Sequence, residues 1–308
     1  MPSLAPIVLF TYNRPEHTRI TLEYLQRNLL ADRSTLYIFC DGPKENASDS
    51  VLKRIAKVKK IIRAQKWTQD VHIIDSEKNK GLATNVIEGV TKIVNEHGRA
   101  IVLEDDLRIG KWFLTYMNEA LDRYEDNEKV KQISGFLFPI GIEARNEAMF
   151  LPITNTIGWG TWKAAWNEID LEAKGAERLK TDSAFRKAFN LGGIYNYTKM
   201  LFDQIERDDN GSWAIFYWWS VFTKGGITLF PDYPLIQHND FDASGTHPSD
   251  YDHFDYPNWQ DDYKIETFPE TIAANESVFV KHKSYIKKNN RITLKNIMIK
   301  VRKKFKKR

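Results

Sequence analysis

The sequence predicts an α/β protein built on a mostly parallel sheet flanked by helices. Short apolar runs alternate with amphipathic stretches at helical spacing over about the first 110 residues, and that alternation implies parallel strands joined by helical crossovers. Each apolar run ends in polar or acidic residues: Asn13-Arg14, Asp41-Gly42, Asp75 and Glu104-Asp105-Asp106. Finally, 308 residues with 42% hydrophobic content are enough to bury the core of one large domain.

Residues 5–11, APIVLFT, form a short run of β-formers closed by polar residues and read as a buried strand. Pro15 suits the first turn of a helix that carries Ile20, Leu22, Leu25 and Leu29. LYIFCD (36–41) reads as a second buried strand, with Asp41-Gly42-Pro43 as turn chemistry. A basic amphipathic helix is expected over 49–65, a strand over 71–75, a helix over 81–97 and a fourth strand over 100–106. Another helix is expected over 111–126. The second half is less regular. It holds KQISGFLF (131–138), the aromatic segment GWGTWKAAW (158–166), GSWAIFYWWSVF (211–222) and ITLFPDYPLI (227–236). No internal repeat is visible.

The single cysteine, Cys40, closes an apolar run and reads as a buried small hydrophobe. With no partner for an internal disulfide, the chain fits a reducing compartment. The N-terminal apolar stretch is short and lacks a basic lead, so neither a signal peptide nor an anchor is expected. No segment reaches the ~20 apolar residues of a spanning helix. A cytoplasmic protein, peripheral on the inner face of a membrane, is the expected setting. The net charge of +4 hides an asymmetry, because residues 281–308 carry 13 Lys and Arg and no Asp or Glu. The preceding body has 32 basic against 41 acidic residues.

Three adjacent carboxylates at a strand end, Glu104-Asp105-Asp106, repel one another. They are tolerated where a cation or hydrogen-bond donors neutralise them. A hard divalent ion such as Mn²⁺ or Mg²⁺ suits carboxylate oxygens with open positions left for phosphates. In open α/β sheets ligands bind beyond the carboxyl ends of the strands, so residues 1–138 read as a nucleotide-binding half.

The fragments LAPIVLFTYNRPEHT, FCDGPK, NKGLATNVIEGV and AIVLEDDLRIGKWFL occur in that order. Together they resemble the GT-A glycosyltransferases, in particular the N-acetylglucosaminyltransferase I type and its bacterial relatives, which have EDD in place of DXD. The resemblance covers about residues 5–138 and weakens through GWGTW and FDASGTH. It implies a GT-A, Rossmann-like fold over 1–280, with an acceptor half over 139–280. It also implies transfer of a sugar, with inversion, from a nucleotide-diphosphate donor that is expected to be UDP-linked. The acceptor would be a glycan or lipid-linked glycan of bacterial surface polysaccharide synthesis.

By position, the resemblance puts Arg14 near the uracil or phosphates and Asp41 on the uracil. Lys80, Asn85 and Glu104 fall beside the nucleotide, Asp105 on the ribose or sugar, and Asp106 on the metal. His247 would complete the metal shell, and Asp242 would order a closing loop. Trp159, Gly160, Trp162 and Trp213 would form the sugar or acceptor surface. The general base would be Asp209 or else Asp208, although Gly211 stands where the family pattern has Asp. Each position also has a plainer reading as a turn, a cap or packing. Two rivals stay open: a sugar-phosphate nucleotidyltransferase, disfavoured because no glycine-rich basic loop follows the first strand, and a non-enzymatic carbohydrate- or membrane-binding protein.

The C-terminal segment places Leu294, Met298, Val301 and Phe305 on one helical stripe among Lys and Arg. That pattern over 291–308 suits an anionic membrane surface. Nucleic acid is not expected as a partner, since the body is acidic and no nucleic-acid module is present.

Overall fold

The computed structural model describes residues 3–207, 211–238, 256 and 258–289. The first half runs β1 (Ile7–Thr11), α1 (Pro15–Gln26), β2 (Thr35–Cys40), α2 (Asp49–Ile62), β3 (Asp70–Asp75), α3 (Leu82–His97), β4 (Arg99–Glu104), β5 (Leu107–Ile109) and α4 (Phe113–Arg123). The second half adds β6 (Val130–Ser134), β7 (Ala148–Leu151), β8 (Trp159–Trp162), α5 (Lys163–Trp166), α6 (Arg178–Thr181), α7 (Ser183–Phe189), α8 (Tyr197–Arg207), α9 (Trp213–Thr223), β9 (Ile227–Pro231) and β10 (Ile236–His238).

The main sheet has eight strands in the order β3-β2-β1-β4-β8-β6-β9-β7. Strands β3, β2, β1 and β4 are parallel neighbours. β8 runs antiparallel to both β4 and β6, β9 is parallel to β6, and β7 is antiparallel to β9. The expected class, a mostly parallel mixed sheet flanked by helices, is the architecture observed.

Both faces of the sheet are covered, which is why the central strands read as continuous apolar runs rather than alternating ones. Along β1, Ile7 and Leu9 join the core shared with α1, α2 and α4, while Val8 and Phe10 face α3. Ile101 and Leu103 of β4 split from Ala100 and Val102 in the same way. Helix α9 is apolar nearly all round, as befits a buried helix. Its Trp213, Tyr217 and Val221 pack towards the α3 face, and its Ile215, Phe216, Trp218 and Trp219 towards a third cluster formed by the second half.

The segment GWGTW is a central strand, not an open loop. Gly160 of β8 sits between Ile101 and Ile133 in register. Trp159, 1% exposed, packs within 5.5 Å of the rings of Trp166, Trp213 and Tyr217. The Trp162 indole donates to Leu121 O at 3.0 Å. Gly158 has φ +53°, and a Cβ there would lie 1.9 Å from Ile236 Cδ1, so a side chain is excluded on two counts. These tryptophans pack into the core, Trp162 on one face of the sheet and Trp159 and Trp213 on the other.

A last described helix spans 276–289 and packs Val278, Phe279 and Ile286 into the third cluster. The boundary expected at 281 falls inside this helix, so the first turns of the basic segment belong to the packed body. His282 is 2% exposed and surrounded by the rings of Phe138, Phe230 and Phe279. Its Nδ1 makes no hydrogen bond, and burial pushes its pKa down to about 4.

A depressed histidine pKa favours the neutral ring in the folded state. The associated stability is present above the unfolded value of about 6.5 and is lost as pH falls towards 4. In chemical denaturation, the stability of the wild type relative to His282→Leu should fall between pH 6.5 and pH 4, by up to roughly 3 kcal/mol. A constant difference across that range would show that His282 titrates normally.

Candidate active site

Four strand ends and the loops after them converge at the carboxyl edge of the sheet. β1 and β4 are paired through Phe10↔Glu104, so the residues that follow them emerge side by side. Arg14, just before α1, reaches across this gap. Its guanidinium pairs with Asp105 Oδ1 through Nη2 and with Asp106 Oδ2 through Nη1 at 3.0 Å. α1 braces the same turn. The Thr18 hydroxyl faces Asp105 Oδ2 at 3.4 Å. The Thr21 hydroxyl donates to Asp105 O at 2.9 Å and accepts from Leu107 N at 3.0 Å. Both threonines are fully buried. Their roles escaped the sequence reading; the available signal was two hydroxyls three residues apart on the apolar stripe of α1.

Burial, reinforced by Asp106 and Asp105 and partly offset by Arg14, pushes the half-buried Glu104 up to about 8. Burial also raises Asp105 to about 6, with Arg14 pulling it back and Asp106 pushing it further. The paired guanidinium therefore leaves the triplet short of positive charge. Asp106 is 6% exposed, and its Oδ1 is buried without a hydrogen-bond donor. A buried carboxylate oxygen lacking a partner is unfavourable, and a hard cation would supply what it lacks. The donor set suits Mn²⁺ or Mg²⁺, which use one or two protein carboxylates and complete their shell with phosphate oxygens and water. Among the described residues no group of three or more ligand-type side chains forms a protein-only metal cage.

The ribbon of β5 and β10, paired through Leu107↔His238, carries His238 to this site. His238 Nδ1 lies 3.9 Å from Asp106 Oδ2. It is the described histidine at the carboxylates. His247 and Asp242 lie outside the described residues, as do Asp208, Asp209 and residues 290–308.

Asp41 follows the end of β2. It is 5% exposed, and its own N–H is held by Thr11 O at 2.9 Å. Oδ1 accepts from the backbone N–H groups of Gly42 and Lys80, each at 2.9 Å. Oδ2 accepts from Asn79 Nδ2 at 2.8 Å and from Gly81 N at 3.0 Å. A carboxylate offers about four lone-pair positions, and here the chain's own donors engage it on all sides. Asp41 thus clamps the loop 79–81 that leads into α3. Gly42 permits this fit, because a Cβ there would lie 2.7 Å from the backbone of Glu77 and Lys78. Lys80 turns its side chain outward to Glu88 at 2.7 Å. Asn85 is buried and caps back to Gly81 O at 3.0 Å.

No family model matches the chain, and no curated protein does. Solved structures resemble it weakly. S. aureus TarS 1-349 aligns with TM-score 0.36 and 12% identity over 54% of this chain and 49% of that one. The mannosyltransferase PcManGT from Pyrobaculum calidifontis, solved with GDP-Man and Mn²⁺, aligns with TM-score 0.36 and 7% identity over 73% and 77%. The mannose-1-phosphate geranyltransferase from Thermus thermophilus aligns with TM-score 0.34 and 13% identity over 74% and 73%. The chain spans about half the length of the first of these. The likeness is one of general strand and helix arrangement.

Asp41→Asn should speed amide exchange over residues 79–83 at least tenfold and cost about 1–3 kcal/mol, since it replaces one oxygen, the acceptor of two hydrogen bonds, with an NH2 group that faces those two donors. Unchanged exchange over residues 79–83 would show that Asp41 does not hold this loop.

Proposed function

We propose that this protein transfers a sugar from a nucleotide-diphosphate donor to a glycan or lipid-linked acceptor, with a divalent cation at Asp106. The observation that carries this reading is the buried, unpartnered Oδ1 of Asp106 within the Glu104-Asp105-Asp106 turn. It points to a missing positive partner at the carboxyl edge of the sheet, where α/β folds take their ligands.

A cation held there would offset the negative charge that gathers on the departing diphosphate. Asp106 would hold the ion. Arg14 would keep Asp105 and Asp106 in register and add positive charge beside the phosphates. The clamped loop 79–81 would form one wall of the donor cleft. Single displacement with inversion needs a carboxylate to accept the acceptor proton. Asp209, and after it Asp208, stays our choice for that base, in the stretch between α8 and α9.

Calorimetric titration with nucleoside diphosphates and nucleotide sugars, in Mn²⁺ and in chelator, tests the reading directly. We expect metal-dependent binding, with uridine nucleotides first among those to try. Asp106→Asn should lower that affinity at least a hundredfold while the melting temperature holds or rises. Wild-type affinity in this variant would remove the metal from Asp106. Release of a nucleoside diphosphate during turnover marks sugar transfer; release of pyrophosphate would mark nucleotidyl transfer instead. Asp209→Asn should bind donor normally and fail to transfer, and unimpaired transfer would place the base elsewhere.

A further inference from the structure

The sequence marks 49–65 as a basic amphipathic helix, and nothing in the donor site uses it. In the structure, α2 packs Ile55, Val58 and Ile62 inward. Lys53, Lys57 and Lys60 recur at i, i+4 and i+7 on the opposite side, and all three are exposed. Arg54, also exposed, flanks them. Other cations of this region are matched: Lys59 and Arg63 pair with Asp75, and Lys66 with Asp70. No carboxylate among the described residues pairs with Lys53, Arg54, Lys57 or Lys60.

Like charges one turn apart repel. Lys60 gains from the negative end of the helix dipole, but Lys53 and Arg54 sit in the second turn, nearer the positive end, and gain nothing there. The charge is thus arranged along a straight ridge with no internal partner. Leu52, 42% exposed, stands on the shoulder of the ridge and offers an apolar side chain at the same surface.

We infer that the outer face of α2 is a docking surface for an anionic lipid bilayer. Charge complementarity selects the partner. A planar array of headgroups matches a linear ridge on one helix, each basic residue near such a surface adds to the attraction, and Leu52 can enter the interface between headgroups. This surface belongs to the folded body, whichever reaction the carboxylate site performs.

The test is co-sedimentation of the full chain with vesicles of 30% phosphatidylglycerol in phosphatidylcholine and with vesicles of phosphatidylcholine alone. The wild type should partition onto the anionic vesicles only. The triple variant Lys53→Glu, Lys57→Glu, Lys60→Glu should lose at least tenfold in partitioning, with an unchanged melting temperature. An equal change of charge elsewhere, Lys174→Glu, Lys180→Glu, Lys199→Glu, should lose less than threefold. The same comparison in a chain ending at residue 289 separates the ridge from the basic tail: residual binding should persist and vanish with the triple variant. Equal binding by wild type and triple variant, equal losses in the two triple variants, or no binding at all without residues 290–308 would each overturn the proposal. So would a ridge that retains duplex DNA but not anionic vesicles.

Discussion

The ion pair between Arg14 and the Asp105-Asp106 turn organises the functional edge of this molecule. Three consecutive carboxylates end a buried strand, and their mutual repulsion would drive the turn outward without a cation opposite. Arg14 comes from the neighbouring strand end, so the pair ties β1 to β4 beyond their last hydrogen bonds. α1 starts at the next residue and returns Thr18 and Thr21 to the same turn. β5 follows directly, held at Leu107 by Thr21, and it presents the edge on which β10 pairs. One electrostatic bridge thereby sets the position of a helix, a turn and a ribbon.

Two buried aspartates at adjacent parts of this edge show how structure and chemistry divide. Asp41 is surrounded by four donors from its own chain and has nothing left to offer. Asp106 is equally buried yet keeps one oxygen without a donor. The first is a satisfied clamp that shapes a loop. The second is left with one buried oxygen unsatisfied. Residue type and exposure are the same in both, and only the hydrogen-bond accounting separates them.

The described second half backs the carboxyl edge of the sheet and, through β10, brings His238 to the carboxylates. β8 enters the sheet between β4 and β6, so residues from both halves share one hydrogen-bonded surface and neither forms a separate body. Its Trp159 joins rings of α5 and α9 in a dense aromatic cluster on the α3 face of the sheet. Ring burial of this extent gives a stiff backing to β4, which carries the carboxylates. The docking of 276–289 on the third cluster adds the last layer, with His282 enclosed among phenylalanines.

By itself, the sequence determined the α/β class, the first four strands within a residue or two of their ends, the crossover helices and the strand-end carboxylates. These are legible because a strand buried on both faces must be a short apolar run, and an amphipathic helix must repeat its apolar residues every turn. The carboxylate triplet stood out because clustered like charge has a local cost. Only the tertiary structure decided that Trp159–Trp162 is a central strand, since a four-residue run has no period to reveal its partner. Only it decided that Asp41 is a clamp, because three of its four donors lie some 38–40 positions away in the chain. It alone placed His238 and Thr21 at the carboxylates. Periodicity reports what a segment does along its own axis. Which distant donors reach a side chain depends on how the strands are ordered, and that order follows from packing the whole core together.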